Sequence, residues 1–151
     1  MNLLYLCYDF IMKNFRILIH LLLYSTTLCW AQAVPPMFNY AGQIAVQNEP
    51  FAGTGFFKFA IVGERNATVI SYWSNDGTST AGSEPDANVS IQVDGGLYSI
   101  LLGNASIPGM SALNPAIFSS QANLKLRVWF SDGVNCFQQL APDRAFASVP
   151  Y

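Results

Sequence analysis

Charged side chains are scarce in this sequence of 151 residues. Asp, Glu, Lys and Arg make up 11% of it, against roughly a quarter of an average protein. Acidic residues (9) outnumber basic ones (7), which excludes a nucleic-acid-binding protein that relies on net positive charge. Because 52% of the residues are hydrophobic, the chain is not intrinsically disordered, and its length suits a single folded domain.

Long apolar runs are few, and the main one lies near the N-terminus. Residues 17–30 are apolar, but this stretch is shorter than the ~20 residues that a membrane-spanning helix needs. A basic segment, residues 13–16, precedes it, and the small-x-small sequence Ala-Gln-Ala follows at residues 31–33. This order is typical of a secretory signal peptide.

We therefore predict that translation starts at Met12 and that residues 1–33 are a signal peptide, cleaved after Ala33. Residues 34–151 would then form one domain, secreted or held at the cell surface, with no transmembrane segment. The alternative is a leader that stays attached as the N-terminal anchor of a surface protein.

Removal of this leader would leave a chain without histidine. His20, Cys7 and Cys29 all lie in it, so Cys136 would be the single remaining cysteine. Such a chain has no Ser-His-Asp or Cys-His catalysis, no His-ligated zinc site and no internal disulfide. We predict that it is not an enzyme and has no cofactor. We interpret Cys136 as a small buried hydrophobic residue; the alternative is an intermolecular disulfide.

Carboxylates are the remaining candidates for chemistry. Asp76, Glu84 and Asp86 lie in one Gly- and Ser-rich stretch and could offer oxygen ligands to calcium, but their spacing does not match a known calcium loop. Asp132 and Asp143 could serve acid–base catalysis, but they show no paired-carboxylate pattern. Our prediction for metals is none, with the first three residues as calcium candidates.

Alternation of apolar and polar residues predicts strands along the rest of the chain. Phe57, Phe59 and Ile61 form one face of such a strand, with Lys58 and Ala60 on the other. Similar patterns occur at residues 38–44, 68–73, 89–93, 97–102, 124–130, 136–140 and 145–149. Seven or eight short strands separated by turns predict an all-β fold, an antiparallel β-sandwich, with an open β-barrel or jelly roll as the alternative.

The connections between strands divide into turns and loops. Asp94-Gly95-Gly96 predicts a tight β-hairpin, since glycine permits the positive φ angles of such a turn. Residues 74–88 are predicted to form a long surface loop. Residues 103–121 are irregular, with one short helical turn after Pro115, since proline is tolerated at the start of a helix.

Six segments resemble, in order, the N-terminal β-rich domain of bacterial exported and tail-fibre-like surface proteins. Residues 34–44 are similar to its opening pattern P-x-x-(I/F)-x-Y-Q-G-x-L, and residues 147–151 to its closing A-S-V-P-Y-A. The other similar segments are residues 53–54, 73–77, 96–103 and 126–130. Cys136 departs from the pattern, which has glycine there.

This resemblance implies an exported domain without catalytic residues. In that family the domain follows the signal peptide and precedes a longer, variable, fibre-like region. Since the sequence stops at Tyr151, two interpretations are open: a stand-alone module or a truncated one.

Aromatic residues make up 14% of the chain and are candidates for a binding surface. Trp129 lies on the polar face of its predicted strand, and Tyr72 and Trp73 lie beside the long loop. Exposed aromatic rings could stack on a glycan or form a protein interface; the alternative is ordinary packing.

We thus expect a non-catalytic exported structural or interaction module whose partners are other protein chains, including copies of itself through an unpaired edge strand. The alternative is a carbohydrate-binding module that uses Trp73, Tyr72 or Trp129.

Overall fold

The computed structural model describes residues 36–146, which are mostly β-strand. The predicted signal peptide, residues 1–33, and the closing segment, residues 147–151, lie outside the described residues. The strands are β1 (Phe38–Gln43), β2 (Ala45–Val46), β3 (Glu49–Pro50), β4 (Gly53–Arg65), β5 (Thr68–Ser74), β6 (Val89–Val93), β7 (Leu97–Leu102), β8 (Lys125–Ser131) and β9 (Gln138–Ala145). One short helix, α1 (Ala116–Ser120), precedes β8.

Strand β4 organises the larger sheet, in which all pairings are antiparallel. Its first residues pair with β6 and its last residues with β5, while β8 runs along its other side and β9 follows β8. A 13-residue strand can do this because it is long enough to pair with two different strands on one side. Residues 57–63 of β4 are all buried, although their side chains alternate between the two faces of the sheet. Five of these residues are hydrophobic, and Lys58 is buried with them.

Two smaller sheets complete the described fold. Strands β1 and β7 pair antiparallel, from Phe38 opposite Leu102 to Gln43 opposite Leu97. Strands β2 and β3 form a short hairpin. None of the sheets closes on itself, so the described residues form an all-β sandwich, as predicted.

The main core lies between the β1–β7 sheet and the larger sheet. Phe57, Phe59 and Ile61 of β4 are fully buried in it, and burial of each contributes about 1.5–3 kcal/mol to stability. Tyr98 of β7 packs its ring 4.4 Å from that of Phe57. The predicted inward face of β4 is therefore confirmed.

A second, smaller cluster lies on the other face of the larger sheet. Ala60 and Val62 of β4 are buried there with Trp129 of β8, and Val69 and Phe137 pack against them. Strand β4 is therefore covered on both faces, and this is why its sequence is apolar on both.

The predicted hairpin at residues 89–102 is only partly correct. Gly95 and Gly96 have φ of 53° and 82°, and Asp94 and Leu97 exchange two backbone hydrogen bonds of 3.0 and 2.9 Å. The tight turn therefore forms, but β6 pairs with β4 and β7 pairs with β1. The turn therefore links strands of two different sheets.

The other predicted connections are largely confirmed. Helix α1 begins directly after Pro115, where the sequence predicted one helical turn. Strand β9, however, runs continuously through residues 141–144, between the two strands that the sequence predicted at 136–140 and 145–149. Across residues 36–146, no helix is long and apolar enough to cross a membrane.

Candidate functional site

A groove lies between β1 and β9. One wall is β1 and the residues after it, Tyr40 to Ala45, and the other is Gln139 to Pro142 with Arg144. Tyr98, Leu126 and Val128 form its floor. We call it the β1–β9 groove; its volume is about 590 Å³. Its two walls belong to different sheets, since β1 pairs with β7 and β9 pairs with β8.

A close glycine–tyrosine contact shapes this groove. Gly42 lies opposite Tyr98, and a Cβ at Gly42 would come within 2.5 Å of the Tyr98 Oη atom. Because glycine has no Cβ, the Tyr98 ring can lie directly against the backbone of β1 at Gly42. Burial raises the pKa of Tyr98, and the neighbouring Tyr40 phenol raises it further. Tyr98 thus stays a neutral hydroxyl at physiological pH.

One charged side chain, Arg144, lines the groove. Arg144 is exposed and pairs across the ladder with Leu126, so it lies on the groove side of β9. The neighbouring Asp143 belongs to the opposite face, where both its carboxylate oxygens accept hydrogen bonds from Arg127. The groove therefore presents a positive charge beside an apolar floor.

The opposite face of the larger sheet carries the ion pairs Arg127–Asp143 and Lys58–Glu84; the Glu84 side chain is 41% exposed, whereas the other three are largely buried. Arg127 Nη2 lies 2.8 Å from Asp143 Oδ2, and Arg127 Nη1 donates to the Gly82 carbonyl at 2.8 Å. Lys58 Nζ lies 2.6 Å from Glu84 Oε1 and 4.2 Å from the centre of the Phe137 ring. These contacts fasten the loop after β5 onto the sheet.

Asn75, which the sequence analysis missed, holds this side of the molecule together. Its side chain is fully buried and accepts a hydrogen bond from Phe59 N–H at 2.9 Å. Its amide donates to the carbonyls of Ala87 and Gly109, both at 2.9 Å. One residue thus joins β4 to the two loops that follow β5 and β7. The polarity of residues 74–88 concealed this role.

The calcium candidates do not come together. The Asp76 carboxylate accepts hydrogen bonds from Thr78 N–H at 3.0 Å and from Ala87 N–H at 2.6 Å. Burial acts to raise the pKa of Asp76, but these hydrogen bonds outweigh it and hold that pKa below its ordinary value. Glu84 instead pairs with Lys58, and Asp86 is exposed. Within residues 36–146, His, Cys, Asp and Glu form no group of three that could hold a metal ion.

The three aromatic candidates do not form one surface. Trp129 is 5% exposed, in agreement with the packing alternative, because Phe137 and the strand neighbours of β8 cover that face. Tyr72 and Trp73 pack against the main core on the opposite face of the sheet. Both can do so although they are adjacent, because the β4–β5 register shifts at this point and a β-bulge turns consecutive side chains toward one face.

The polar atoms of these two residues are engaged as well. Tyr72 Oη donates to Gln121 Oε1 at 2.9 Å, and Trp73 Nε1 donates to the Ala112 carbonyl at 3.1 Å. Tyr72 and Trp73 therefore attach the loop after β7 to the larger sheet.

The β8–β9 loop holds two more of the predicted residues. Cys136 is an exposed free thiol, so its predicted burial is wrong. It follows a turn in which Asp132 accepts hydrogen bonds from the N–H groups of Val134 and Asn135 at 3.0 and 2.8 Å. These bonds lower the pKa of Asp132. Asp132 therefore has a structural role in the turn, and Asp143 has one in its pair with Arg127.

The fold and this surface define an all-β sandwich with an open groove at one side. No family model matches the chain, and comparisons with curated proteins and with solved structures return no match. The function is therefore argued from the surface itself.

Proposed function

We propose that this protein is a non-catalytic exported module that binds other protein chains, and that it belongs to a secreted or surface-attached fibre-like protein. The observation that carries the proposal is the outer face of the β1–β7 sheet. Leu97 and Leu101 of β7 lie there and are 62% and 44% exposed. The two leucines lie on one face of β7 with Ser99 between them, and exposed apolar side chains on a sheet face can form part of an interaction site.

The rest of the described surface fits this role. Hydrogen bonds of Asn75 hold the loops after β5 and β7 in place against β4. The carboxylates that the sequence offered for chemistry form hydrogen bonds within turns and ion pairs. The carbohydrate-binding alternative gains no support, because Trp129 is buried and lies on the other face from Trp73.

Sedimentation at increasing protein concentration tests the proposal. We expect self-association that weakens when Leu97 and Leu101 are both replaced by serine. The matched control is Val134→Ser, which removes an 89% exposed apolar side chain from the β8–β9 loop and should leave self-association unchanged.

A polysaccharide pull-down tests the carbohydrate-binding alternative. Glycan binding that disappears in Trp73→Ala, combined with a monomer at all concentrations, would overturn the proposed function in favour of carbohydrate binding. Since Trp129 is buried, Trp129→Ala serves in this assay as a control for loss of stability.

A further inference from the structure

Strand β1 has an open edge among the described residues. Ile44 N–H donates to the Gly96 carbonyl at 2.7 Å, which continues the β1–β7 ladder. Hydrogen-bonded positions alternate along an antiparallel pair, so Asn39, Ala41 and Gln43 direct their N–H and C=O groups away from β7. Within residues 36–146, β7 is the strand that pairs with β1.

This edge lacks the features that usually protect strands from pairing. Its sequence, Phe-Asn-Tyr-Ala-Gly-Gln, contains neither a charge nor a proline. Strand β9, across the groove, carries Pro142, Asp143 and Arg144 and has a register irregularity in its pairing with β8. Edge charges, prolines and bulges discourage strand addition. Of the two strands that line the groove, β1 is therefore the one whose edge can accept a further strand.

The groove limits what can add there. Strand β9 forms the other wall of the groove, so it bounds the space beside β1. A second folded copy that paired with β1 would have to bring its own second layer into this space. A single extended strand has no such second layer and fits between the two walls.

The side chains of the groove define the chemistry of that strand. Alternate residues of an added strand would face Leu126, Val128 and Leu140, which favour apolar side chains. Arg144 is the charged residue of the groove and favours a carboxylate beside it.

From these observations we infer that the β1–β9 groove binds one extended peptide segment of another polypeptide, added as a strand to β1. The segment carries apolar side chains at alternate positions and an acidic residue at the Arg144 end. Backbone hydrogen bonds supply affinity and the side chains supply selectivity, as in other strand-addition complexes. The inference rests on the proposed function as an interaction module and names the class of partner.

The direct test is titration of the full chain with a capped six-residue peptide, the length of β1, that alternates threonine and valine and ends in aspartate. We expect it to bind about fivefold more tightly than the same peptide ending in lysine, the gain of a partly exposed ion pair. Methylation of the peptide nitrogens that face β1 should abolish binding, because it removes the backbone donors.

Two variants locate the site. Arg144→Glu should reverse the preference, so that the lysine peptide binds more tightly. Ala41→Pro should abolish binding, because it removes a donor from the open edge of β1. Its matched control is Ser99→Pro, which removes the N–H directed away from β1 at the position opposite Ala41 and should leave binding intact. Arg144→Glu changes an exposed side chain, so it keeps the test valid if a proline variant does not fold.

Three results would overturn the inference: no peptide binding, binding that tolerates nitrogen methylation, or a charge preference that does not reverse in Arg144→Glu. If peptide binding fails while self-association through Leu97 and Leu101 persists, the inference is wrong and the proposed function stands. If both are absent, the proposed function is wrong as well.

Discussion

Asn75 and Phe59 form a reciprocal pair of hydrogen bonds. The backbone N–H of Asn75 donates to the Phe59 carbonyl at 3.0 Å, and the Phe59 N–H donates to Asn75 Oδ1 at 2.9 Å. The pair continues the β4–β5 ladder by one step beyond Ser74, with a side-chain oxygen in place of a backbone carbonyl. Strand β5 can therefore end at Ser74 without leaving the buried Phe59 N–H unpaired.

Replacement of Asn75 by alanine should lower the free energy of unfolding by roughly 2–4 kcal/mol, because the buried Phe59 N–H and the carbonyls of Ala87 and Gly109 would lose their partner. Denaturant unfolding measures the loss. Asn88→Ala, in the same loop but exposed, should change stability by less than about 0.5 kcal/mol. Equal effects of the two substitutions would contradict the role assigned to Asn75.

The Arg127–Asp143 pair should matter more than the exposed pair on the same sheet. The two side chains are 19% and 15% exposed, whereas Lys125 and Glu64 are 44% and 66% exposed and 3.9 Å apart. We expect Asp143→Ala to cost about 3 kcal/mol, since it leaves a largely buried Arg127 unpaired. Glu64→Ala should cost less than about 1 kcal/mol. Thermal unfolding of both variants compares them, and similar losses would contradict this prediction.

Stability should decrease at acidic pH. Asp76 and Asp132 have lowered pKa values in the folded chain, so the unfolded chain binds protons more readily at these positions. Their contribution is complete above the ordinary Asp pKa of 3.8 and is lost as the pH falls through the lowered folded values. Unfolding measured between neutral pH and pH values below about 4 should show this loss.

Substitution of Asp76 measures how much this carboxylate contributes to the pH dependence of stability. Asp76→Asn should be less stable at neutral pH, because its amide cannot accept from both Thr78 and Ala87, and its acid-induced loss should be smaller. Asp86→Asn, an exposed change in the same loop, should retain the full acid-induced loss. An unchanged pH profile in Asp76→Asn would argue against the contribution of this carboxylate.

The exposed thiol of Cys136 should react in the folded state. A maleimide reagent added without denaturant should modify Cys136, as identified by mass spectrometry of its proteolytic peptide, because the side chain lies on the surface of the β8–β9 loop. The rate should rise little when denaturant is added. A thiol that reacts only after unfolding would contradict this exposure and favour the burial that the sequence suggested.

Local patterns in the sequence determined much of the fold. The alternation in β1, β4, β6 and β7 identified which side chains face the core, and glycine at 95 and 96 identified a tight turn, because φ preferences and side-chain direction depend on neighbouring residues. The helical turn after Pro115 followed from the same local rules.

The tertiary structure decided what depends on distant segments. It pairs β6 with β4 and β7 with β1 rather than with each other, because strand pairing depends on segments far apart in the sequence. It covers Trp129 with Phe137, exposes Cys136 and makes Asn75 a buried link between loops. It also leaves the edge of β1 open beside β9 among the described residues, since the extent of each sheet depends on which strands meet, and no single segment of the sequence encodes that.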